Sequence, residues 1–113
     1  MFFNKFFGAT NQNSAIKVLT PSEFKEALQQ KSVQLIDVRT PSEFANGTIK
    51  GAKNINLFDG SGFQTSAAKL DKTLPVYLFC QSGNRSKSAS SLLVKMGFSQ
   101  VFDLRGGFPT GSN

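Results

Sequence analysis

The sequence predicts an α/β domain built on a mainly parallel sheet. Three observations carry this. Short apolar runs alternate with helix-opening signals along the chain, the order that produces βαβ units. The clearest helix starts, at Thr20 and Thr40, each follow an apolar run. A periodic helix over Ser86–Met96 follows the apolar run Val76–Phe79 after a short polar loop.

Ile16–Leu19 is the first expected strand. Thr20-Pro21-Ser22-Glu23 then opens a helix. Thr20 can accept from free first-turn amides, Pro21 suits the first helical position, and Glu23 completes a capping box. Phe24, Ala27 and Leu28 give that helix one apolar face. Val33–Val38 is the second strand, ending in Asp37-Val38-Arg39, and Thr40-Pro41-Ser42-Glu43-Phe44 repeats the earlier helix start. The surroundings of the two copies do not match and no third copy follows, so they read as two independent helix starts rather than a repeat protein. Gly47 and Gly51 bracket a turn before a third strand over Ala52–Leu57. Asp59–Gly62 reads as a loop and Phe63–Leu70 as a helix. Val76–Phe79 is a fully apolar strand, and Cys80–Arg85 a polar loop containing glycine. In Ser86–Met96 the residues Ala89, Leu92, Leu93 and Met96 share one face, with Gly97 as terminator. Val101–Leu104 is the last strand, followed by Arg105-Gly106-Gly107. The bland reading of Asp37 and Arg39 is structural: Asp37 bonds nearby backbone and Arg39 pairs with Glu43.

At 113 residues the chain fits one domain. Residues 15–113 are assigned to it, preceded by a Phe-rich arm and polar linker over residues 1–14. Phe2, Phe3, Phe6 and Phe7 in that arm lie at helical spacing, but the run is too short to span a bilayer and lacks the pattern of a secretory signal. The arm is expected to pack on the domain or to be a loose end, with a membrane anchor the weaker reading. With 39% apolar and 18% charged residues, the composition is globular.

The net charge of +6 comes from scattered residues, with no basic run of the kind that binds nucleic acid. A solvated basic surface is the expectation, with attraction of a small anionic substrate the weaker reading. The chain has no histidine, which excludes Cys–His and Ser–His catalytic pairs. It has one cysteine, so no intrachain disulfide, CxxC pair or zinc site of the usual Cys/His kind can form, and no metal or cofactor is expected. A lone free thiol suits a reducing, cytoplasmic setting.

Most lone cysteines are buried and inert. Here the residues after Cys80 argue otherwise. Gln81, Ser82, Gly83 and Asn84 cannot continue a buried strand and lead directly into the helix start at Arg85-Ser86. In a strand–Cys–loop–helix unit the loop amides curl around the sulfur, and the unpaired amides and dipole of the helix N-terminus point the same way. Arg85 adds a permanent cation. Each favours thiolate over thiol and would also hold an oxyanion or a persulfide sulfur.

The segment from Cys80 to Ser86 resembles the active-site loop of the rhodanese family, Cys-x-x-Gly-x-Arg followed by a small residue. Leu35-Ile36-Asp37-Val38-Arg39 with Glu43-Phe44 resembles its first signature, Gly47–Ile55 its second, and Leu104-Arg105-Gly106-Gly107 its closing segment. The four motifs occur in the family's order over roughly Ile16 to Phe108. The resemblance implies a three-layer domain with a central, mainly parallel five-stranded sheet flanked by helices. It implies transfer of a sulfane sulfur from thiosulfate or another small anionic donor to cyanide or a thiol through a Cys80 persulfide, with a protein donor or acceptor as a variant. Cys80 and Arg85 would be the catalytic residues, and Gln81, Ser82, Gly83, Asn84 and Ser86 would bind the donor. Two departures stand out. The usual histidine of the second signature is Thr48. After the double glycine, where the family commonly carries Trp, this chain has Phe108. Phe108 or the N-terminal phenylalanines are expected to fill that space.

Two other functions compete. Cysteine-loop phosphatases and arsenate reductases resemble Cys-x5-Arg, a ring sized for a tetrahedral oxyanion, whereas Arg85 follows Cys80 by five positions, giving Cys-x4-Arg. A non-catalytic rhodanese-like binding module is the second; retention of cysteine, glycine and arginine together argues for activity.

Overall fold

The computed structural model describes residues 15–30 and 33–108. The arm and linker over residues 1–14 lie outside them, so the expectations for that segment are not addressed by the structure.

Five strands form one parallel sheet in the order β1-β5-β4-β2-β3: β1 (Ile16–Leu19), β2 (Gln34–Asp37), β3 (Lys53–Asn54), β4 (Val76–Phe79) and β5 (Val101–Leu104). Four α-helices fill the crossovers that parallel pairing requires: α1 (Pro21–Ala27), α2 (Pro41–Ala45), α3 (Ser61–Ala67) and α4 (Asn84–Lys95). The expected α/β class and five-stranded parallel sheet are therefore what the chain forms.

Alternation along β4 sorts the two cores. Val76, Leu78 and Cys80 pack in one cluster with Phe63 and Ala67 of α3 and Ala89 and Leu93 of α4. Tyr77 and Phe79 pack in the other with Phe24 of α1, Leu35 and Leu104. Cys80 thus points to the α4 side and is completely buried.

Both Thr-Pro-Ser-Glu starts form as read. Thr20 and Thr40 each accept from the amide of the glutamate three residues on, and that glutamate accepts from the threonine amide in return. Several boundaries differ. β2 is Gln34–Asp37 rather than Val33–Val38, and α4 is Asn84–Lys95 rather than Ser86–Met96, because Gly83 already caps it and takes Asn84 and Arg85 out of the stretch read as a loop. The third strand is Lys53–Asn54 rather than Ala52–Leu57, because the chain turns into a 3-10 segment at Leu57–Asp59. The Ile55 and Leu57 amides still bond to the Asp37 and Val38 carbonyls, which prolongs contact with β2 beyond the formal strand. The following helix begins at Ser61, inside the stretch read as a loop, because Gly60 takes φ of 59° and restarts the helical path there.

Candidate active site

The central strand β4 ends at Phe79, and the next residues form the candidate site at the carboxyl edge of the sheet, where parallel α/β folds bind ligands. Gly83 sits at the N-cap of α4 with φ of 100°, a left-handed conformation that glycine adopts without strain. This turns the chain back so that the Gly83 N–H donates to Cys80 Sγ at 2.9 Å. The Cys80 thiol donates to Ser86 Oγ at 3.5 Å, and Ser86 Oγ donates to the Gly83 carbonyl at 3.2 Å. Ser86 is as buried as the cysteine. Gln81, Ser82 and Asn84 form the exposed rim, with Gly83 and Arg85 half-buried. The seven residues Cys80 to Ser86 are therefore brought together where a short loop runs into the first turn of α4, and those that hydrogen-bond with the sulfur are Gly83 and Ser86.

Arg85 is held by a partner outside the loop. Its Nη1 donates to Glu43 Oε1 at 2.6 Å and its Nη2 to Oε2 at 2.9 Å, a bidentate pair joining the start of α4 to α2. The guanidinium also lies 5.4 Å from the centre of the Phe58 ring, which is 67% exposed. Arg85 holds the Glu43 carboxyl down at about 2, helped by the Thr40 amide and hydroxyl, and Glu43 in turn raises the pKa of Arg85. Neither Glu43 as the anchor of Arg85 nor Phe58 was foreseen as part of the site. In the sequence Glu43 reads as a helix cap, as part of the first signature and as a partner of Arg39, none of which points to Arg85.

The expected Arg39–Glu43 pair does not form. Arg39 instead donates from Nε and Nη2 to Asp37, at 2.9 and 2.7 Å, and from Nη2 to the Gly47 carbonyl at 2.7 Å. Both partners are almost fully buried, and a charge buried that deeply needs a complete set of partners. Thr48 supplies one more: its hydroxyl donates to Asp37 Oδ2 at 2.8 Å. The residue standing where the family has histidine thus ties its loop to the end of β2. Asn54 completes the tie by donating to the Asp37 and Arg39 carbonyls.

The segment after β5 braces the cysteine loop from the opposite side. The Phe108 amide donates to the Cys80 carbonyl at 2.7 Å. The Phe108 ring meets Phe79 edge-on at 5.7 Å, and the Arg39 guanidinium lies 5.2 Å from its centre. Phe108 therefore sets an aromatic ring against the loop. Gly107 makes this approach possible: at φ of 76°, a Cβ there would lie 2.5 Å from the Gln81 carbonyl and 2.6 Å from that of Cys80. The second glycine of the closing motif is needed for clearance as well as for its turn.

Comparison with known proteins agrees with this architecture. The model of the rhodanese-like domain matches residues 20–112. The chain belongs to the rhodanese-like family. An uncharacterised protein of Bacillus subtilis, YqhL, is 40% identical over 97 residues, covering 86% of this chain and 73% of the relative. The thiosulfate sulfurtransferase GlpE of Stutzerimonas stutzeri is 38% identical over 88 residues, 78% of either protein. A rhodanese-like domain protein of Staphylococcus aureus superposes with a TM-score of 0.71 at 32% identity, over 80% of this chain and 86% of that one. The same domain type also occurs within larger proteins of other activity: a tRNA uridine(34) hydroxylase of Pelagibacter ubique is 32% identical over 87% of this chain and 33% of its own length.

Proposed function

We propose that this rhodanese-like protein is a sulfurtransferase that carries a sulfane sulfur on Cys80. The observation that carries the reading is the Gly83 N–H aimed at Cys80 Sγ from the N-terminus of a 12-residue helix. A backbone donor there stabilises negative charge on sulfur, first as thiolate and then as persulfide. A thiosulfate-type donor is the substrate that best fits a loop of this size in a basic protein.

In the first half-reaction Sγ attacks the outer sulfur of the donor. A bond forms between Sγ and that sulfur, the donor's S–S bond breaks, and sulfite leaves with the electron pair. In the second, a thiol or cyanide attacks the outer sulfur, and the pair returns to Sγ. Ser86 Oγ accepts from the resting thiol and can turn its own proton toward the sulfur once it is ionised. Arg85 is a positioning residue as much as an anion receptor, because Glu43 takes one N–H from each of its two terminal nitrogens. Gln81, Ser82 and Asn84 are the rim across which donor and acceptor arrive. This division of roles, and a cytoplasmic setting for a free thiol, belong to the same proposal.

The test is the intact mass of the protein after incubation with thiosulfate. A gain of one sulfur atom, removed by cyanide and absent from Cys80→Ser, is the expected result. No gain in folded protein with its thiol free would turn the reading toward a protein donor or a non-catalytic binding module.

A further inference from the structure

Beside the Cys80 loop, a groove of about 510 Å³ runs between α4 and the strands β1 and β5. Gly83 lines it, and the same residue donates its N–H to the Cys80 sulfur. Asp103 and Ser90 also line it, and both are buried, at 5% and 1% exposure. Asp103 Oδ1 and Ser90 Oγ have no hydrogen-bond partner among the described residues. Buried polar atoms are nearly always paired, so two orphans in one groove ask for a ligand. The sheet supplies no reason for an acid at this position: the residues in register with Asp103 are Val18 and Leu78. Burial pushes the Asp103 pKa up, partly offset by the Ser86 hydroxyl and by Lys87. Lys87 and Arg105 are exposed and also line the groove. The site therefore offers a carboxylate and a hydroxyl at its base and two cations along its wall.

We infer that this groove binds the amino-acid end of a low-molecular-weight thiol that takes the sulfur from Cys80. The ligand's ammonium goes to Asp103 and Ser90, its carboxylate to Lys87 and Arg105, and its thiol extends past Gly83 to the loop. The inference deepens the persulfide reading and rests on it. In the transfer step the acceptor thiolate forms a bond to the outer sulfur, the bond from that sulfur to Sγ breaks, and Sγ takes the electron pair. The products are a small-molecule persulfide and the Cys80 thiolate.

The experiment compares three acceptors for protein preloaded from thiosulfate: L-cysteine, N-acetyl-L-cysteine and 2-mercaptoethanol. Asp103→Asn should raise the KM for L-cysteine about tenfold relative to that for 2-mercaptoethanol, the scale of one lost charged hydrogen bond. N-acetyl-L-cysteine, which lacks the ammonium, should show no such change. Lys87→Ala alters an exposed residue and so cannot unfold the core; it should raise the relative KM for both compounds that carry a carboxylate. Unchanged KM ratios in both variants would overturn the inference and leave water as the partner of Asp103. If the wild-type protein takes up no sulfur, the persulfide reading fails separately. Calorimetric titration with S-methyl-L-cysteine, which cannot accept sulfur, then decides the groove alone. Binding weakened about tenfold by Asp103→Asn supports it, and no binding to the wild type overturns it.

Discussion

At the scale of single residues, the Glu43–Arg85 pair ties the site to the stability of the domain. Glu43 ordinarily titrates near 4.5 but is held at about 2 in the folded protein, first by Arg85 and then by Thr40. Its folded value lies below its unfolded one, so the charged form stabilises the fold. That contribution is complete above about pH 4.5 and is lost as the pH falls toward 2. Side-chain exposures of 19% and 28% mean that water screens the pair, so its contribution is modest. Glu43→Gln should lower the melting temperature by a few degrees at pH 7, on the order expected for a domain of this size. The gap between variant and wild type should persist down to pH 5 and close toward pH 2.5. A gap unchanged across that range would mean that Glu43 is not held by its ion pair. The cysteine, its glycine and Arg85 were legible in the sequence because they lie within six residues of one another. The partner of Arg85 was not, because it lies 42 positions away and only the pairing of β2 with β4 brings α2 beside α4.

At the scale of elements, the repeated Thr-Pro-Ser-Glu-Phe provides an internal control. Helix starts were readable because a cap is a local device: an N-cap hydroxyl, a proline with its φ already helical and a glutamate at the third position act within four residues. The two copies fold alike but serve different ends. Glu23 bonds to Thr20 and stops there, apart from the nearby charge of Arg105. Glu43 bonds to the Thr40 amide and hydroxyl and, through the same Oε1, to Arg85. Thr20→Ala and Thr40→Ala should therefore lower the melting temperature to a similar extent, by a few degrees each. Only Thr40→Ala should slow sulfur loading from thiosulfate, by about three- to tenfold, because it frees the carboxylate that positions Arg85. Equal loading rates in the two variants would show that the cap and the site are independent. The shortened β3 and the early start of α3 escaped prediction for the converse reason. Ala52–Leu57 is apolar enough for a strand, but its tail is claimed by a 3-10 turn that the side chain of Asn56 caps.

At the scale of the whole molecule, alternating apolar runs and helix starts were sufficient for the α/β class, but strand order is a long-range property. The arrangement β1-β5-β4-β2-β3 places β4 at the centre and so puts Cys80 between the closing segment after β5 and the Asp37–Arg39 network after β2. Nothing in the local periodicity of Val76–Phe79 distinguishes a central strand from its neighbours; its uninterrupted apolar character does so only once both faces are known to be covered. The charge of the molecule bears on the same site. The Asp37–Arg39 and Glu43–Arg85 pairs cancel internally, so the +6 excess is carried largely by exposed lysines. A field of that origin acts through solvent and is screened over about 10 Å at 0.1 M salt. Anions should therefore reach Cys80 faster than neutral molecules of the same size at low ionic strength, and lose the advantage as salt is added. With one cysteine in the chain, alkylation reads this directly. Iodoacetate and iodoacetamide form the same bond to sulfur and differ in charge, so any opening needed to expose the buried thiol cancels from the ratio of their rates. That ratio should fall several-fold between about 10 mM and about 200 mM salt. A ratio indifferent to salt would mean that the surface field does not extend to the loop. Selection of an anionic donor would then fall to the loop itself, to the Gly83 amide and to Arg85.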